Sequence, residues 1–206
     1  MNKLKKIELS IALGLIFAVV LSFAGFESKC ETIKRGMFRL RIIANSDTKF
    51  DQDVKLAVRD EILNTTKNVF CDCKDEKAAE EKAKENIDLI NTAVLKTLNE
   101  NHCEYSFKSE IKKEFFDTRV YDDFTLPAGE YNSLVISLGK AGGHNWWCVL
   151  FPGVCLPAAT EKDSLYDVFS DDTADIAYNA KDYKIRFKTA EIYEKIKQKY
   201  KKIKKQ

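Results

Sequence analysis

These 206 residues predict an α+β fold with a mostly antiparallel sheet. Three observations lead there. Short segments of alternating apolar residues follow one another in the middle of the chain. Amphipathic helical stretches sit after the first strand-like segment and again at the C-terminal end. An eighteen-residue run without charge, Leu9 to Phe26, precedes everything else.

That run follows Lys3, Lys5 and Lys6, the order of a positive segment and an apolar segment in an export signal. It is longer than the usual apolar core of a cleaved signal, about 7–15 residues, and close to the roughly 17–25 that span a bilayer. Small residues at Ser22 and Ala24 offer a cut after Ala24, so a cleaved signal peptide and an uncleaved signal anchor both stand. Either way the charge bias places residues 27–206 outside the cytoplasm. Residues 1–26 are read as signal or anchor and residues 27–206 as one extracytoplasmic domain, since neither a repeat nor a low-complexity linker divides them.

Phe38 to Ala44 alternates and then turns apolar, which predicts a strand, and Asn45-Ser-Asp47 is a turn. Val54, Leu56 to Val58, Ile62-Leu63 and Val69-Phe70 recur at helical spacing after the acids Asp51 and Asp53, which suit a helix start. A second helix is expected from about Asp75 to Asn99, with Ile87, Ile90, Val94, Leu95 and Leu98 as its buried stripe. Its charged first half is read as a solvated face. Strands are expected over Glu104–Phe116, around Arg119-Val-Tyr121, and over Tyr131–Leu138, with Leu126 to Gly129 as a turn. Residues 163–180 hold room for a short helix. Tyr183 to Lys188 alternates as a strand, and a last helix is expected to begin at Thr189, with Ile192, Ile196, Tyr200 and Ile203 at three-to-four spacing.

Lys plus Arg number 34 and Asp plus Glu 32, giving a net charge of +2 that conceals an uneven distribution. Seven Lys and no acid lie from Lys195 onward, and the body between this tail and the N-terminal run carries 24 basic against 31 acidic residues. An acidic body argues against a nucleic-acid binder, whose positive charge would cover a folded face. The lysine tail, Lys195–Lys205, fits an anionic membrane surface at roughly 1 kcal/mol per Lys, or equally a solvated helix end that complements the macrodipole.

The densest chemistry is in Gly139 to Cys155, which holds both Trp, His144 and two of the six Cys. Gly142-Gly143 permit unusual backbone angles, so His144-Asn-Trp-Trp147 is expected on a loop at the sheet edge. In an oxidising compartment Cys148 and Cys155 read first as a disulfide closing a short hairpin. A Cys148 thiolate with His144 as base, or zinc held by His144, Cys148 and Cys155 with an Asp or His102, are the competing chemistries. With the bridge formed, His144, Asn145, Trp146 and Trp147 make a recognition patch, and the plainer reading is that both Trp belong to the core. One of Cys71 and Cys73 is a candidate partner for Cys103, but six cysteines allow fifteen pairings. No hydrolase or metalloprotease signature is present, and no cofactor or metal is expected.

Two blocks resemble the stage II sporulation protein R family. One is Arg39-Leu-Arg-Ile-Ile-Ala-Asn-Ser-Asp47 with Asp51-Gln52 and Lys55-Leu-Ala-Val-Arg-Asp60; the other is Gly143-His-Asn-Trp-Trp-Cys-Val-Leu-Phe-Pro152 with Cys155. Ile185-Arg-Phe-Lys188 leading into Glu191 is a weaker third match. Arg41, Gly153-Val154 and Gly139-Lys-Ala-Gly142 depart from the family pattern. The resemblance implies a non-enzyme, exported from the forespore into the intermembrane space, that signals to a membrane-embedded aspartic protease and so triggers maturation of the mother-cell sigma factor. The partner-binding candidates are then His144, Asn145, Trp146, Trp147, Arg39, Asn45 and Asp47. Arg39, Asn45, Asp47, Asp51, Arg59 and Asp60 also admit a structural reading as turn and helix-start residues. A secreted Cys/His hydrolase acting on the cell wall is the alternative.

Overall fold

The computed structural model describes residues 3–121, 123–153 and 165–204. Helix α1, Lys3–Arg35, leads to β1, Phe38–Ile43, and then to α2, Lys49–Phe70, α3, Glu76–Glu85, and α4, Ile87–Glu100. Strands β2, Phe107–Phe116, β3, Arg119–Val120, β4, Thr125–Leu126, β5, Gly129–Leu138, and β6, Asn145–Phe151, follow. Helices α5, Asp171–Tyr178, and α6, Lys184–Ile203, close the described chain, each preceded by a short 3₁₀ turn, at Leu165–Asp167 and Ala180–Tyr183.

The main sheet has the order β2-β5-β1-β6, and β3 with β4 forms a separate two-stranded ribbon. β2 and β6 pair antiparallel with their neighbours, while β1 and β5 pair parallel, so the sheet is mixed and mostly antiparallel. Strand alternation sorts the two faces. Phe38, Leu40, Ile42, Leu134, Ile136, Leu138, Cys148 and Leu150 pack with Val54, Val58, Ile62, Ile90 and Val94 from the helices. On the other face Tyr131, Val149 and Phe116 meet Ile33 and Met37 from the end and exit of α1, with Phe169 and Ala174. Arg39 faces this second layer with no exposed surface.

Two expectations about helices change. The helix foreseen from Asp75 to Asn99 divides at Asn86, whose backbone and side-chain N–H groups both donate to the Lys82 carbonyl. Asn competes for the backbone in this way and favours helix ends. The strand foreseen over Tyr183–Lys188 is a 3₁₀ turn running into α6. Tyr183 and Phe187, four residues apart, both reach Phe26, with ring centroids 5.9 and 5.2 Å away, while Ile185 points outward at 84% exposure. The alternation matched a strand, yet the segment has a helical face to bury and no strand partner among the described residues.

α1 is long and apolar enough to cross a membrane. Its first part exposes Ile7, Leu15 and Val19, whereas Phe26, Cys30 and Ile33 are buried in the domain. The helix therefore continues, without a break, from the apolar run into the fold.

Candidate functional site

The two sequence blocks meet as neighbouring strands. β1 pairs antiparallel with the edge strand β6, setting Arg41 opposite Trp147, Ile42 opposite Trp146 and Ile43 opposite Asn145. Beyond Ile43, the Asn45-Ser-Asp47 turn is clamped against the β5–β6 connection. Gly142 N–H donates to the Asn45 carbonyl at 3.1 Å and Gly143 N–H to the Ala44 carbonyl at 3.0 Å. Asn45 Oδ1 accepts from Lys140 N–H at 2.9 Å. Gly139 has φ +54°, a left-handed angle that glycine adopts without strain, and a Cβ there would run into the Asn45 side chain. At Gly143 a Cβ would collide with the Ser46 carbonyl. The Gly-Lys-Ala-Gly-Gly stretch thus permits close approach of two backbones.

Side chains complete the clamp. Asp51 accepts from Ser46 Oγ at 2.5 Å and Asn45 Nδ2 at 2.9 Å, while Thr48 Oγ1 caps α2 by accepting from Asp51 N–H at 3.2 Å. Burial pushes the Asp51 carboxyl up, but hydrogen bonds from Ser46, Asn45 and Tyr105 outweigh it and hold it below the usual carboxylate range. Asp47 Oδ1 accepts from His144 N–H at 2.6 Å and lies 2.5 Å from His144 Nδ1. The side-chain contact, then the backbone bond, keep the Asp47 carboxyl low. Lys55 donates to Gln52 Oε1 at 2.5 Å and to the His144 carbonyl at 3.2 Å, and burial lowers its pKa.

His144-Asn-Trp-Trp147 does not form the expected loop: Asn145, Trp146 and Trp147 lie in β6, where pairing with β1 satisfies their backbone. The tryptophans consequently point to opposite faces and both are half-buried. Trp146 packs on the helix-side core beneath Arg59, whose guanidinium lies 4.4 Å from the ring centroid. Trp147 packs edge-on to Phe116, with Arg41 and Arg119 at 4.6 and 4.7 Å from its ring. Arg41 also reaches Glu114 at 2.5 Å. Neither ring is the freely exposed surface that a loop would have offered. The exposed members are His144, with 81% of its side chain accessible, and Asp47, with 53%.

Arg39 and Asn45 serve the interior and the clamp. The Arg39 guanidinium lies 4.0 Å from the Phe116 ring and 4.8 Å from that of Tyr131, and donates to the Tyr121 hydroxyl at 2.5 Å. Such a buried residue cannot touch a partner directly. Sequence reasoning missed Phe116 and Arg119, which pack on Trp147, Glu114, which pairs with Arg41, and the Asp47–His144 contact, whose members lie 97 residues apart. The pairing of β1 with β6 reveals the Asp47–His144 contact, and the sheet order β2-β5-β1-β6 with the adjoining β3 reveals the others.

Cys148 is buried in the helix-side core within β6, while exposed His144 precedes that strand, four residues away and about 13 Å off along extended chain. These two residues therefore form neither a nucleophile–base pair nor two ligands of one zinc ion. Cys155 lies outside the described residues, and with it the expected Cys148–Cys155 bridge. Cys30, Cys71, Cys73 and Cys103 are free thiols, so Cys103 is not bridged to Cys71 or Cys73. Among the described residues, Glu27, Glu31 and Glu194 are close enough together to hold a metal ion. Lys34 Nζ already sits among them, at 3.5, 2.9 and 3.2 Å, and supplies the positive charge.

No solved structure matches this chain. The stage II sporulation protein R of Bacillus subtilis (strain 168) is 34% identical over 117 residues, 57% of this chain and 52% of that protein, so the chain matches about half the length of this curated relative. The family model for stage II sporulation protein R matches residues 34–161, a stretch that contains β1, the clamp and β6. On these grounds the chain belongs to the stage II sporulation protein R family.

Proposed function

We propose that the chain is a sporulation signalling protein that, once exported from the forespore, activates a membrane-embedded aspartic protease and so triggers maturation of the mother-cell pro-sigma factor. Family membership supports the sporulation role, and the N-terminal apolar helix is compatible with export by signal or anchor. The observation that carries the mechanism is the clamp itself. Two distant blocks are locked together by backbone hydrogen bonds, and they present His144 and Asp47 on a rigid sheet edge. Pre-organised polar groups of this kind recognise a partner with little ordering cost. Binding would act by favouring the active conformation of the protease, to the extent that the domain prefers that state.

The hydrolase alternative has less support, since His144 and Cys148 are held apart and Cys148 is buried. Co-expression of the chain, the protease and the sigma-factor precursor in a non-sporulating host tests the proposal. Cleavage of the precursor is expected only when all three are present. Cleavage without this chain, or none with it, would contradict the proposal.

A further inference from the structure

Contacts between α1 and α6 fix the direction of the last helix. Phe26 meets Tyr183 and Phe187, whereas Lys34, eight residues further on, meets Glu194 at 3.2 Å. Both helices therefore advance in the same direction. Because α1 is uninterrupted from Lys3 to Arg35, a membrane around its apolar part also orients α6, roughly along the membrane normal. A hydrocarbon layer about 30 Å thick takes about 20 helical residues. The charge-free run ends at Phe26, so the membrane surface lies level with Phe26 and with the start of α6.

This geometry puts the lysine-rich end of α6 on the far side. At 1.5 Å per residue, Lys201 stands about 20 Å beyond Phe187. Lysines of that end already have acids of the domain for partners: Lys195 with Asp117 at 2.9 Å, Lys197 with Glu31 at 3.5 Å and Lys201 with Glu130 at 2.7 Å. At the membrane end, residues 180–188 carry Lys181, Lys184, Arg186 and Lys188 against the single acid Asp182. Lys188 shares Glu191 at 3.6 Å, and the neighbouring Asp172 faces Lys29 at 3.5 Å. Ile185 stands among these cations at 84% exposure, and no large apolar side chain among the described residues is more exposed.

We propose that, in the chain that retains α1, the segment from Lys181 to Lys188 is a second membrane contact, in which Ile185 enters the interface and Lys181, Lys184, Arg186 and Lys188 meet anionic headgroups. An apolar side chain ringed by cations suits such a surface, since the side chain enters the interface while the cations attract anionic headgroups. The inference does not depend on protease activation. It rests on where α1 enters the fold.

Full-length protein, its intact mass verified, is reconstituted in nanodiscs containing phosphatidylglycerol and a photoactivatable phospholipid, and the adducts are mapped by mass spectrometry. Adducts are expected on the apolar run of α1 and on residues 181–188, with residues 192–204 bare. Replacing Lys181, Lys184, Arg186 and Lys188 together by Gln is expected to cut the 181–188 adducts several-fold while those on α1 persist. Adducts on α1 alone, adducts on 192–204, or undiminished 181–188 adducts in the Gln variant would each overturn the proposal.

Discussion

At the clamp, Asp47 and His144 meet at 2.5 Å with 53% and 81% of their side chains exposed; at the α1–α6 seam, Lys34 is 3% exposed among three carboxylates. Both contacts set a carboxylate against side-chain nitrogen, in opposite environments. Water screens the exposed pair and leaves its polar atoms available, so it contributes little to stability and much to recognition. The buried cluster has no such freedom, because removing its cation strands the acids around it. Charge in this chain is therefore structural where α1 joins the domain and presentable where the two family blocks join each other.

The seam is the place where that contrast breaks most visibly. Lys34→Met should cost about 3–5 kcal/mol, the usual penalty for removing one partner of a buried ionic cluster, measured by denaturant unfolding followed by circular dichroism. A loss below 1 kcal/mol would show that water reaches the acids. Next in size is Trp147→Ala, about 2–4 kcal/mol, because the ring fills space between Phe116 and two guanidiniums. A recognition residue that packed on nothing would instead leave stability unchanged.

Asp51→Ala should cost about 1–3 kcal/mol by leaving Ser46 and Asn45 without their acceptor and loosening the start of α2. The smallest effect is expected at the exposed pair. His144→Ala should leave the melting temperature within error while raising the Asp47 carboxyl toward its ordinary value, read by carboxyl-carbon NMR titration. Asp47 and Asp51 are both lowered in the folded chain, so their contribution is present above the ordinary carboxylate pKa and is lost as pH falls through the folded value. In His144→Ala the Asp51 share of that acid-side loss should remain in full, while the Asp47 share shrinks to what the backbone N–H of residue 144 sustains. An unmoved Asp47 titration would place the cause elsewhere.

Local pattern made much of this architecture legible. β1, α2 and β5 carry clear periodicity and stand close to where Phe38 to Ala44, the stripe from Val54 to Phe70, and Tyr131 to Leu138 placed them. Tyr183 to Lys188 misled because residues at every second position also include residues four apart, and burial against Phe26 decides between the two periods. In the site, composition singled out Gly139 to Cys155, while Arg39 to Asp60 stood out through its resemblance to the family. Their adjacency was not readable, since Asp47 and His144 meet only after a sheet brings strands about 100 residues apart into register. The faces of Trp146 and Trp147 follow from that register, which no local spacing encodes.

On the proposed function, the clamp surface at His144 touches the protease. Co-expression with a photoreactive phenylalanine analogue replacing His144, compared with the same analogue at Leu89 on the exposed side of α4, tests it most directly. An adduct to the protease from position 144 and none from position 89 is the expected result. No adduct from 144, or equal adducts from both positions, would contradict the account.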